Sequence, residues 1–181
     1  AICLPYLMGI RLPKVASVDT VKIAARILDQ GKSQAQIHLL IESALGIANL
    51  NSLANSDPRI AAISLGEADL RSDLRVTDED ALAYARSALV VASRAAGLRQ
   101  PSQSVYTNTK DLDGLRESTI KGKALGFFGR SVIHPNQIEV VNDVFTPTLA
   151  EYERAKELLD WYESMQSSGE SVMALPNGDM I

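Results

Sequence analysis

The sequence predicts an α/β fold, a parallel sheet wrapped by helices of the kind that closes into a TIM (β/α)8 barrel. Short apolar runs of strand length alternate with longer stretches of helical period, which is the order expected of βα units in a parallel sheet. The polar residues that close those runs, Lys14, Glu42, Asp69, Asn108 and His134, recur at about the length of one βα unit and so fall at one end of the sheet. Ligands bind at that carboxyl-terminal end both in a barrel and in an open doubly wound sheet. The open sheet lacks its usual nucleotide signature, because neither G-x-G-x-x-G nor G-x-x-x-x-G-K-[ST] occurs.

Five units can be counted. In the first, "GIRLPKV" precedes "SVDTVKIAARILDQG", where Val18, Val21, Ala25 and Leu28 share a helical face and Gly31 stands as the C-terminal cap. In the second, "IHLLIES" is followed by "GIANLNSLANSD", with Ile47, Leu50 and Leu53 as its stripe. The third joins "IAAISLGEAD" through a polar loop to about Asp80 and then to "ALAYARSALVVASRAAG", whose Leu82, Ala85, Leu89 and Ala92 face inward and which Gly97 ends. The fourth pairs "SVYTNT" with "DGLRESTIKGKALG", and the fifth "FFGRSVIHP" with "NQIEVVNDVF". Residues 1–148 are expected to carry this βα repeat, a partial barrel if the sheet is of the closed kind. Residues 149–181 form an extension: a capped amphipathic helix with Tyr152, Ala155, Leu158, Leu159 and Tyr162 on its apolar side, then a hairpin signalled by Asn177-Gly178. This extension is expected to pack outside the barrel or to reach a neighbouring subunit.

Composition excludes several classes of function. With 181 residues, 46% of them hydrophobic and 22% charged, the chain is globular with one sizeable core. A formal net charge of −4, with no basic stripe, argues against nucleic acid as a partner. No apolar run approaches the about 20 residues of a membrane helix, and the start carries no signal-peptide pattern. The single Cys3 forms no internal disulfide, which fits a reducing cytoplasm. A chain that opens on Ala1 and almost at once on a strand reads as a piece of something longer.

The chemistry concentrates at Glu42 and Asp69. Each follows an apolar run, and a buried carboxylate needs a partner. One candidate partner is a divalent cation: two carboxylates from adjacent strands suit Mg2+, which keeps much of its water. The other is a set of structural salt bridges, Glu42 with Lys14 and Asp69 with Arg71 or Arg75. Gly46 and Gly66 would let backbone approach a ligand closely or serve tight turns. Lys14 would meet an anionic substrate or an inward carboxylate, or lie in solvent. His38 sits at the opposite end of its strand from Glu42 and reads as structural. His134 lies at the right end but has no second ligand. Asp111 and Asp113 read first as the N-cap of the next helix.

"RLPKV", "LLIESALGIANLNSLA", "SLGEADLRSDL", "AGLRQPSQSVYTNTKDLDGLRES" and "GFFGRSVIHPNQIEVVNDVFTPT", in this order, resemble the HpcH/HpaI aldolase and citrate lyase beta-subunit family, and most closely its citrate lyase beta-like branch. The resemblance runs from about Ile10 to the C-terminus. It implies a (β/α)8 barrel, with this chain carrying strands 4 to 8, in a homo-oligomer that is a trimer or hexamer. It also implies a Mg2+-dependent carbon–carbon lyase that cleaves a 3-hydroxy acyl thioester (citryl, malyl or citramalyl, on coenzyme A or an acyl carrier) through a metal-stabilised enolate. By position it makes Glu42 and Asp69 the metal ligands and puts Lys14, Gly66, Ile133, His134 and Pro135 near the substrate or the thioester entrance. The family's first three strands have no counterpart here. They include an "LEDAV"-like segment and a "VRVN"-like segment whose arginine holds the substrate, so no catalytic residue is assigned. Five strands cannot close an eight-strand barrel. The chain is therefore expected to belong to a longer polypeptide, or to complete its sheet with another copy. The alternative functions are an acyl-CoA thioesterase of the same family and a non-catalytic remnant that acts as an assembly partner.

Overall fold

The structure is a computed structural model that describes residues 7–168. The chain divides into two compact units, Ala1–Phe145 and Thr146–Ile181. The first is α/β and is built on a three-stranded parallel sheet in the order β1-β2-β3, with β1 Gly9–Leu12, β2 Gln36–Ile41 and β3 Ile60–Leu65.

Side-chain alternation gives this sheet two unlike faces. The register pairs Leu12 with Leu39 and Leu39 with Ile63. These residues, with Ile37, Ile41 and Leu65, belong to the core built against the helices. The other face carries Arg11 opposite His38, His38 opposite Ala62, and Leu40 opposite Ser64. Arg11, Leu40 and Glu42 line a cleft on that side. Glu42 follows Leu40 by two residues, so the strand's own period brings it there.

Helix α1, Val18–Gln30, starts where the Ser17 side chain accepts from Thr20 N–H, and it buries Val21, Ala25 and Leu28. The second helical stretch is broken into α2, Ala44–Ala48, and α3, Leu50–Ala54. Asn49 stands at the break and donates through Nδ2 to the Ala16 carbonyl at 2.8 Å, fixing the pair on the loop after β1. Beyond β3, the "EAD" expected to close the strand and the first half of the expected polar loop form a helix, α4, Glu67–Leu74. Only Leu70 is buried in it, and its C-terminal cap is Arg75 in the left-handed region at φ 57°, so neither an apolar stripe nor a capping glycine announced it. A short 3-10 turn, Asp80–Leu82, leads into α5, Ala83–Ala95, which packs Ala85, Leu89 and Ala92 onto the core.

The fourth and fifth expected strands, "SVYTNT" and "FFGRSVIHP", do not form. Among the described residues they are reduced to one parallel bridge, Gln103 with Arg130, made by Gln103 N–H to the Gly129 carbonyl at 2.8 Å and Ser131 N–H to the Gln103 carbonyl at 3.1 Å. Beyond that bridge a buried side chain links the two segments. Gln137 donates through Nε2 to the Tyr106 carbonyl at 2.9 Å and accepts from Ile133 N–H at 3.0 Å. Helices α6, Leu112–Ala124, and α7, Asn136–Phe145, form as expected and meet through Leu115, Val140 and Val141.

The second unit contains α8, Leu149–Ser168. It opens on a capping box: Thr148 N–H donates to Glu151 Oε2 at 2.8 Å, and Glu151 N–H donates to Thr148 Oγ1 at 3.2 Å. The hairpin expected over the tail lies outside the described residues. No helix among them is long and apolar enough to cross a membrane.

Candidate functional site

The cleft on the open face of the sheet has a volume of about 1160 Å³. Glu42, Gly66 and Asp69 line it together, and a smaller recess at its edge is shared by Lys14, Glu42 and Asp69. Glu42 is buried, at 9% exposure. Its Oε2 accepts from the backbone N–H of Lys14 at 2.7 Å. Lys14 itself has a φ of 53°, a conformation rare for a residue with a side chain.

Gly66 stands against the other side of the same carboxylate. Its N–H donates to the Ile41 carbonyl at 2.9 Å, and a Cβ placed on it would lie 2.5 Å from both Cγ and Oε1 of Glu42. The position therefore needs glycine for space. Gly66→Ala is expected to push the Glu42 carboxylate aside and to cost about 1–3 kcal/mol of stability through overpacking, read from urea unfolding. An unchanged unfolding midpoint would mean that Glu42 moves away freely and is not held in place.

Asp69 lies in the first turn of α4 and is half exposed; its Oδ1 is 3.7 Å from the Lys14 Nζ. The salt bridges considered from sequence thus take a different form. Lys14 meets Glu42 through its backbone and Asp69 through its ammonium, while Arg71 pairs with Glu79. Ile133, His134 and Pro135 are exposed residues ahead of α7 and do not line the cleft. There His134 Nδ1 shares a hydrogen bond with Asn136 Oδ1 at 2.7 Å.

Several residues of the cleft were not singled out from sequence. Arg86 of α5 grips Glu67 of α4 in a two-point contact, Nε to Oε1 at 2.9 Å and Nη2 to Oε2 at 2.6 Å, and also pairs with Glu79. The hydrogen bond to Glu67 raises the Arg86 pKa above its ordinary value despite burial. For Glu79, burial alone would raise the pKa, but the Arg86 hydrogen bond and the charges of Arg86 and Arg71 hold it below the ordinary glutamate value. Across the cleft, Arg130 donates to the Ser104 carbonyl, Thr119 Oγ1 and Ser118 Oγ, and stacks 5.5 Å from the Tyr106 ring centre. Burial lowers its pKa. Tyr106 donates to Asp111 Oδ2 at 2.6 Å; that bond raises the Tyr106 pKa and lowers that of Asp111, which also caps α6 through Gly114 N–H. The signal for Arg11 was present in "GIRL", a charge inside a strand at the alternate position.

The sequence profile of HpcH/HpaI aldolase/citrate lyase matches residues 5–135. The chain belongs to the HpcH/HpaI aldolase/citrate lyase family. Citrate lyase subunit beta of Leuconostoc mesenteroides subsp. cremoris is 35% identical over 182 residues, covering 95% of this chain and 60% of that protein. (3S)-malyl-CoA thioesterase of Cereibacter sphaeroides (strain ATCC 17025 / ATH 2.4.3) is 33% identical over 175 residues, covering 95% of this chain and 59% of that protein. Among solved structures, protein CitE from Mycobacterium tuberculosis in complex with magnesium, acetoacetate and coenzyme A superposes with a TM-score of 0.75 at 25% identity, covering 96% of this chain and 62% of that one. This family member thus spans about three fifths of the length of the curated relatives it matches.

Proposed function

We propose that the chain carries the metal-binding part of a (β/α)8-barrel, homo-oligomeric, Mg2+-dependent carbon–carbon lyase that cleaves a 3-hydroxy acyl thioester of citryl, malyl or citramalyl type. The observation that carries this reading is the placement of Glu42 and Asp69 on one wall of the cleft, with Glu42 buried and its position set by Lys14 N–H and Gly66. The donor set fits the ion. Two carboxylate groups, one of them half open to water, are what a hard cation that retains much of its hydration requires. Glu67, the nearest other carboxylate along the chain, is taken up by Arg86.

Glu42 and Asp69 would hold Mg2+, which supplies Lewis-acid stabilisation of negative charge developing on substrate oxygens. The chain's own residues shape the place. Lys14 N–H orients Glu42, Gly66 keeps the space beside it open, and the Arg86–Glu67 pair ties the turn that bears Asp69 to α5. Arg11 and Arg130 line the same cleft and have no carboxylate partner among the described residues, which suits a substrate that carries a carboxylate.

The test is turnover of malyl and citramalyl thioesters by the purified protein, with Mg2+ and with chelator. Release of an acyl thioester shortened by carbon–carbon cleavage, lost on chelation, is the expected result. Free hydroxy acid with free thiol would move the assignment to thioester hydrolysis, which the malyl-CoA thioesterase relative favours as the second reading. No turnover of either kind would leave an assembly role.

A further inference from the structure

Lys14 touches both carboxylates of the candidate metal site, each with a different group. Its backbone N–H donates to Glu42 Oε2 at 2.7 Å, and its ammonium stands 3.7 Å from Asp69 Oδ1. The disfavoured φ of 53° is held on the C-terminal side by Val15, which is fully buried and donates its N–H to the Leu40 carbonyl at 3.2 Å. A strained residue persists only where its surroundings over-determine it, and such residues cluster at functional sites. The side chain, by contrast, is 75% exposed. An ion pair that open is weak and exchangeable. The backbone half of the contact is therefore fixed, and the ammonium half is free to leave. The other cations near α4 differ in their contacts: Arg71 is paired with Glu79, and Arg75, which caps α4, lines the same recess but makes no ion pair with Glu42 or Asp69 among the described residues.

We propose that Lys14 is the resting counter-ion of the Glu42–Asp69 pair: its ammonium offsets the carboxylate charge until a divalent cation binds and displaces it, while its N–H stays on Glu42 in both states. This inference rests on the metal reading above and adds to it what balances the site before the ion arrives. The displaced ammonium remains beside the ion as a like charge, so it weakens metal affinity and eases exchange.

Mn2+ binding, measured by calorimetry and by paramagnetic resonance on the purified protein without substrate, tests this. Lys14→Met keeps the N–H and the chain length but removes the charge, and it is expected to tighten the Mn2+ dissociation constant about threefold to tenfold at low salt. The gain should shrink in molar salt, where exposed charges are screened. Lys14→Arg restores a cation and should return affinity to the parent value. If the parent binds Mn2+ and Lys14→Met binds it equally or more weakly, the counter-ion role is overturned while the metal site stands. If the parent binds no Mn2+, or binds it unchanged after Glu42→Gln, the metal reading fails and this proposal fails with it.

Discussion

Glu42→Gln is expected to lower Mg2+-dependent kcat/KM for a malyl or citramalyl thioester by about 10²- to 10³-fold, the several kcal/mol that metal stabilisation of a developing anion supplies. The substitution is close to isosteric. A glutamine Oε1 still accepts the Lys14 N–H that Glu42 Oε2 receives at 2.7 Å, and the side chain still fits against Gly66, so the fold should survive, as read by far-UV circular dichroism and urea unfolding. What disappears is one negative charge at a buried position. Asp69→Asn is expected to act in the same direction but less strongly, because its side chain is 54% exposed and water can fill the lost contact. Steady-state kinetics across a range of Mg2+ concentrations separate the effects: weaker metal binding is rescued by excess Mg2+, and lost transition-state stabilisation is not. Activity equal to the parent in both variants would remove these residues from the site.

Much of this was legible in the sequence where one residue's environment follows from its neighbours. The three strands, α1, α5, α6 and α7 came from hydrophobic period, and Glu42 stood out because a charge ends an apolar run. The rest depended on partners distant in sequence. Gln137 reads as an ordinary polar residue in "HPNQI", yet it is fully buried and bonds the carbonyl of Tyr106 and the N–H of Ile133. Local pattern carries no trace of those contacts. The apolar run before Asp69 suggests that it closes a strand. It belongs instead to a short polar helix capped by an arginine in the left-handed conformation, which propensity does not foresee. Arg11 was the readable omission: "GIRL" and "QIHLLI" each place a polar residue at the alternate position, and that pattern marks one face of the sheet as open rather than packed.

Arg86→Met is expected to cost about 3–5 kcal/mol of stability in urea unfolding. Glu67 and Arg86 are only 14% and 13% exposed, so removing the guanidinium leaves the Glu67 carboxylate inside the protein without its two-point partner. Much of the loss should come from that stranded charge rather than from a large intrinsic worth of the pair. The double variant Glu67→Met, Arg86→Met should therefore recover most of the stability, since apolar residues of similar volume replace a buried pair at little cost. A penalty for Arg86→Met below about 1 kcal/mol would place the pair with exposed surface bridges. The pH dependence follows from Glu79, whose pKa is held below 4.5 because the Arg86 hydrogen bond and the Arg86 and Arg71 charges outweigh its burial. A lowered carboxylate pKa contributes stability that is present above the unfolded value and lost as pH falls through the folded one, so part of the Arg86→Met penalty should fade on acidification below 4.5. Because Glu67 and Asp69 share the first turn of α4, freeing Glu67 should also loosen Asp69. Mn2+ affinity should therefore fall in Arg86→Met even where the variant is still folded, and the double variant should recover stability more fully than metal binding.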